Sequence, residues 1–117
     1  MQFTFPYKLR ICTEEQIKHI LRRGRRIPSA EFTVIFCPNE LTHARLGVIV
    51  SKKNIRRANR RHTFKRVIRE FFRLQQHNLP ATDVLILANK KAETLTKREL
   101  RQCIEQQWQK ILKLLNK

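Results

Sequence analysis

Between Ser51 and Arg73 the sequence reads SKKNIRRANRRHTFKRVIREFFR, which sets ten Lys and Arg residues against one acid, Glu70. Such an array suits phosphate, since Arg presents a planar fork of donors and Lys a compact charge. Arg56, Arg57, Arg60 and Arg61 crowd the first turns of the helix that this stretch predicts, where the macrodipole is positive and cations are unfavourable. Selection for helix stability alone would place Asp or Glu there, so this end is expected to receive phosphates. At about 100° per residue, His62, Lys65, Arg66, Arg69 and Arg73 fall together on one arc. A solvated basic face is the ordinary alternative for a charge run. The N-terminal crowding argues against it, as does a formal charge of +17 from 26 Lys and Arg against 9 acids.

Other chemistry is poorly supplied. Asp83 is the single Asp, and the eight Glu are scattered, so no converging carboxylates for a metal-dependent nuclease are evident and no protein-bound metal is expected. Gly24 and Gly47 are the only glycines, which excludes both the Walker A loop and the GxGxxG fingerprint. His19, His43, His62 and His77 could supply an acid and base pair for RNA cleavage. Their spacing puts no two together, and only His62 sits among arginines. Cys12, Cys37 and Cys103 are odd in number and lack metal-ligand spacing, which points to reduced thiols and a cytoplasmic location. No apolar run exceeds five residues, so no membrane span is expected, and the leading MQFTFPYKLR lacks the apolar segment of a signal peptide.

With 117 residues and 41% hydrophobic content, the chain is expected to be a single RNA-binding domain, 1–117, with one core. The basic helix anchors through Phe64, Val67, Ile68, Phe71 and Phe72, an apolar stripe at i, i+3, i+4, i+7 and i+8, and runs to about His77. A first helix opens at Thr13, in a capping box with Gln16, and closes at Gly24. Alternation predicts strands over 31–37 and 44–50, joined by a loop of six residues that suits a hairpin. Residues 83–88, DVLILA, read as a strand buried on both faces. A last helix opens with a Thr96–Glu99 capping box and aligns Leu100, Cys103, Ile104, Trp108, Ile111, Leu112 and Leu115. The order αββαβα predicts an α+β fold, a two-layer sandwich whose small mixed sheet contains a βαβ crossover.

Ser51-Lys52-Lys53-Asn54 after a strand, followed on a helix by Arg61-His62-Thr63-Phe64-Lys65-Arg66-Val67-Ile68-Arg69-Glu70, closely resembles the protein subunit of bacterial ribonuclease P. The resemblance runs from Lys8-Leu9-Arg10 to the Trp108 helix. Arg61, Lys65, Arg66, Arg69 and Glu70 match the family's signature helix, while His62 and Thr63 stand where Asn and Arg are usual. The resemblance implies a left-handed crossover, against the right-handed default. It also implies a ribonucleoprotein that removes the 5′ leader of precursor tRNA, its catalytic RNA subunit performing the chemistry with Mg²⁺ bound mainly by that RNA. Arg56, Arg57, Arg60, Arg61, His62, Lys65, Arg66, Arg69 and Arg73 would then dock on ribonuclease P RNA. Ile17, Leu21, Thr33, Ile35, Lys52 and Lys53 would line a leader track between the first helix and one sheet face. Ile17, Leu21 and Ile35 replace family aromatics with aliphatic side chains, which removes ring stacking on bases. No obligate protein partner is expected.

Two other readings share these residues. A ribosomal protein that binds ribosomal RNA would have the same size, charge and reduced cysteines. A protein-only ribonuclease would use His62 with a second histidine.

Overall fold

The computed structural model describes residues 10, 11 and 13–115. Met1–Leu9 and Cys12 lie outside the described residues, and with them the expectations for the leading segment and the Cys12 thiol.

Among the described residues, two of the three α-helices start where a side chain closes the first turn. Thr13 accepts from the Gln16 backbone N–H at 3.1 Å while the Gln16 side chain accepts from Thr13, and α1 follows over Glu14–Arg23. Its acids Glu14 and Glu15 and its cations Arg22 and Arg23 sit at the ends that the helix dipole favours. Gly24 then donates its N–H to Ile20 O, and a Cβ at Gly24 would clash with Ile35 Cγ2. That contact explains the glycine by close approach of helix end and sheet. The last helix, α3, Lys97–Leu115, has the second capping box, in which Thr96 and Glu99 exchange hydrogen bonds at 3.0 and 3.1 Å.

Between α1 and α3 run β1 (Arg25–Ile27), β2 (Phe32–Pro38), β3 (Arg45–Ile49), α2 (Ala58–Gln75) and β4 (Thr82–Ala88). Short 3-10 turns at Gln76–Asn78 and Lys90–Thr94 flank β4. The order is therefore αβββαβα, one strand more than the αββαβα expected. The added strand is β1, three residues long with two arginines, too short and too polar to show alternation. A second correction concerns the hairpin. The sheet runs β1-β2-β4-β3, so β4 lies between β2 and β3, antiparallel to the first and parallel to the second. A short loop allows a hairpin, but β4, apolar along its length, pairs on both edges and takes the central place. The β3–α2–β4 segment is the expected βαβ unit.

Register sorts the side chains by face. Phe32, Val34 and Phe36, with Leu46, Val84 and Ile86, face α2 and α3 and join their buried residues in the larger core. Phe64, Val67, Ile68 and Phe72 are the buried residues of α2, as its stripe predicts. Trp108 of α3 packs edge-to-face with Phe71 and Phe72 at centroid distances of 5.5 and 5.8 Å. On the other face a smaller core gathers Ile11, Ile20, Ile35, Cys37 and Leu85, with Ile17 and Leu87 at its margin. Here three rungs cross the strands: Thr33–Leu87–Ile49, Ile35–Leu85–Gly47 and Cys37–Asp83–Arg45. The middle rung is buried, beneath Ile11 and Ile20. The last is closed by a bidentate ion pair, Arg45 Nε to Asp83 Oδ1 at 2.8 Å and Nη2 to Oδ2 at 2.7 Å, with Asn39 donating to the same carboxylate. The first rung stays partly open, with Thr33 and Leu87 half-buried and Ile49 exposed.

Candidate RNA interface

The basic stretch divides into a structured approach and a helical arc. Ser51–Asn54 forms a turn, held to β4 by Asn54 Nδ2 donating to Ala88 O at 2.9 Å, and Lys52 and Lys53 are exposed on it. Ile55 is buried and fixes where the chain leaves the sheet. Since α2 starts at Ala58, Arg56 and Arg57 precede the helix and do not occupy its first turns. They meet Arg60, Glu93 and Thr94 around a cleft of about 530 Å³, where the Arg56 backbone N–H donates to Glu93 Oε2 at 2.6 Å.

Two of the arginines expected on RNA also brace the protein. Arg61 Nη1 donates to Ile55 O at 3.0 Å and Arg56 O at 2.8 Å, and Arg60 Nη1 donates to Leu95 O at 3.1 Å. A guanidinium has five N–H donors, so each keeps others for a phosphate. Thr63 Oγ1 donates back to Asn59 O at 2.9 Å, the bond that a hydroxyl inside a helix commonly makes. Further along, His62 and Arg66 are exposed and Lys65, Arg69 and Arg73 are half-buried, on the arc away from the buried stripe.

Arg69 is held below its ordinary pKa first by burial and then by the charge of Arg10. Arg10 bridges to Leu46 beside β3, so the leading segment adds a cation to the arc. Sequence reading had no signal for it, because Arg10 reaches α2 only through the folded edge of the sheet. An arrangement that brings this many cations together, with Glu70 the one acid of the stretch, is repelled from itself and lowered in energy by a polyanion.

Ile17, Leu21, Thr33 and Ile35, the residues expected to line a leader track, lie on the α1 side of the sheet. Ile17 is half-buried at the margin of the smaller core, and Leu21 is 37% exposed. Thr33 is half-buried with its hydroxyl 3.4 Å from Asn89 Nδ2. Ile35 is 0% exposed, which corrects the expectation that its own surface lines a track: it supports the floor from beneath α1. Leu87 and the 37% exposed Ile49 share the open rung with Thr33, and sequence reading had not singled them out. The uniform apolar run of β4 gave no sign that its Leu87 end emerges from under α1.

His19, His62 and His77 stay apart. His62 and His77 lie toward opposite ends of the α2 region, about 22 Å apart by helix rise. His19 belongs to α1, which packs on the other face. Asp83 is engaged by Arg45 and Asn39, and among the described residues no three of His, Cys, Asp or Glu gather as a metal site. The Cys37 thiol is raised by burial and then by the charge of Asp83, with Arg45 opposing, which disfavours the nucleophilic thiolate.

The model of the family Ribonuclease P matches residues 5–112. This chain belongs to the ribonuclease P protein family. It is 39% identical over 113 residues to the ribonuclease P protein component of Photobacterium profundum, covering 97% of this chain and 96% of that one. To its counterpart in Proteus mirabilis it is 35% identical over 117 residues, covering 100% and 98%. The RNase P protein of Staphylococcus aureus superposes with a TM-score of 0.79 at 31% identity, over 84% of this chain and 90% of that chain. The RNase P protein of Thermotoga maritima gives 0.69 at 28% identity, over 91% and 94%. A ribonuclease P protein fold, three helices on a small four-stranded sheet, thus places the basic arc and the open rung on opposite layers.

Proposed function

We propose that this chain is the protein component of a ribonuclease P ribonucleoprotein in tRNA maturation, a single RNA-binding domain working in the cytoplasm. Its α2 arc docks on the catalytic RNA and its open sheet face holds the 5′ leader of precursor tRNA. The observation that carries this reading is the separation of the two surfaces. Arg66, Arg69 and Arg73 stand on the outer side of one layer, while Thr33, Leu87 and Ile49 lie on the opposite sheet face beside Ile17 and Leu21. A protein with both can touch enzyme RNA and substrate at once. Lys52 and Lys53 stand at the turn between the two regions, where either polynucleotide is in reach.

In this reading the RNA carries out cleavage with Mg²⁺ that it binds mainly itself, and the protein contributes phosphate contacts and position. The arc's cations neutralise a folded phosphate backbone and release counterions. The open rung offers apolar contact to unstacked bases without ring stacking, which lowers the affinity this face contributes.

Reconstitution with the RNA subunit tests both halves. At low magnesium, precursor tRNA should bind more tightly than mature tRNA. Equal affinity for the two would remove the leader surface while leaving the RNA-docking arc standing. Robust cleavage by RNA-free protein, lost in His62→Ala, would overturn the division of labour altogether.

A further inference from the structure

Arg22, Arg23, Arg25 and Arg26 surround Gly24, and the function proposed above uses none of them. All four are exposed, and none joins an ion pair among the described residues. Physics divides them. Arg22 and Arg23 occupy the last turn of α1, where cations complement the negative end of the dipole, so helix stability accounts for that pair. Arg25 and Arg26 lie in β1, an extended edge strand with no such dipole. Alternation sends them to opposite faces. Arg25 pairs with Phe36, which faces the larger core, and Arg26 pairs with Ile35, which faces α1.

Arg26 therefore ends the middle rung on the α1 face, one diagonal step from Thr33 on the open rung. Such diagonal neighbours are about 7–8 Å apart, within reach of a long side chain. At the other end of the open rung the chain continues from Ile49 into the turn carrying Lys52 and Lys53. Cations thus bracket the open rung across three strand spacings, about 14 Å, the length of about four stacked nucleotides or fewer extended ones.

We infer that Arg26 binds a backbone phosphate of single-stranded RNA at the β1 end of the open rung, and so sets how much leader this face reads. The strand enters by Lys52 and Lys53, next to the RNA-docking helix, and its distal part reaches Arg26. This rests on the leader reading given above. The competing account is that charged residues on an edge strand only prevent pairing with other sheets. Arg25 would serve that purpose equally, whereas only Arg26 shares a face with the open rung.

The test uses holoenzyme reconstituted from full-length protein and the RNA subunit, with precursor tRNAs bearing leaders of about two and about eight nucleotides, chosen to fall on either side of the four-nucleotide span. Arg26→Gln should weaken the long-leader substrate about threefold to tenfold and lower its salt slope by about 0.7. The short-leader substrate should be unaffected, Arg25→Gln should leave both unchanged, and Arg26→Lys should restore most of the loss. Unchanged long-leader affinity in Arg26→Gln, or equal losses from Arg25→Gln and Arg26→Gln, overturns the inference while wild-type leader discrimination keeps the parent reading. If wild-type holoenzyme itself binds long-leader, short-leader and mature tRNA alike, both fall together.

Discussion

The two faces of the sheet are built to different standards of closure. Toward α2 and α3, twenty buried residues among those described form one core that includes Trp108 and four phenylalanines. Toward α1 only five do, and one whole rung emerges at the margin. A face sealed by two long helices can stabilise the domain but cannot itself meet a ligand, and in the proposed reading contact on that side falls to the outer surface of α2. A face covered by one short helix gives up burial and keeps a surface.

The sharpest way to break this contrast is truncation on each face. Trp108→Ala should cost about 3–5 kcal/mol in urea unfolding, because a large side chain leaves a cavity in the closed core. Leu87→Ala should cost about 1–2 kcal/mol, since the side chain is only half-buried, and should reduce leader-dependent affinity. Equal destabilisation by the two would refute the difference in closure. Next in size is Gly24→Ala, whose Cβ would clash with Ile35 Cγ2 and Ile20 O. It should destabilise by about 2 kcal/mol and shift α1. Leader discrimination should fall while affinity for the RNA subunit holds, and a parallel loss of both would show that the faces are not separable.

A smaller effect is expected from the outer arc. Arg66→Gln with Arg69→Gln should leave thermal stability nearly intact and reduce the log-log salt slope of RNA-subunit binding by about 0.9 for each lost phosphate contact. An unchanged slope in filter-binding titrations would remove the docking role. The smallest effect concerns the α3 entrance. Hydrogen bonds from Thr96 hold the Glu99 carboxyl below its ordinary range. Its stabilisation is therefore complete above the unfolded carboxylate pKa and is lost as pH falls through the lower folded value. Glu99→Gln should flatten that acid limb in thermal melts and leave the α1 face unaffected.

Much of this could be read from local sequence. Both capping boxes, the Phe64–Phe72 stripe and the alternation of β2 and β3 each depend on neighbours within a few positions, and each is found in the fold. What escaped depended on distant pairing. The place of β4 between β2 and β3, and the emergence of Leu87, follow from which strands meet. The backbone contacts of Arg60 and Arg61 follow from loops at Ile55 and Leu95 that α2 brings near. The basic arc was legible because charge spacing is a property of the helix itself. The proposed track was only partly legible, since exposure of Ile35 and Ile49 is decided by where α1 crosses the sheet.

The central position of β4 has a consequence for how the chain is made. During synthesis β2 and β3 emerge well before β4 and share no ladder, so each keeps an open edge until residues 82–88 arrive and pair with both. Closure of the sheet is a late, non-local event, which slows folding and lengthens exposure of apolar strands. Through that interval the nascent chain carries the arginines of α2 and little acid, so mutual repulsion keeps the open-edged intermediates apart before there is a completed sheet to protect them.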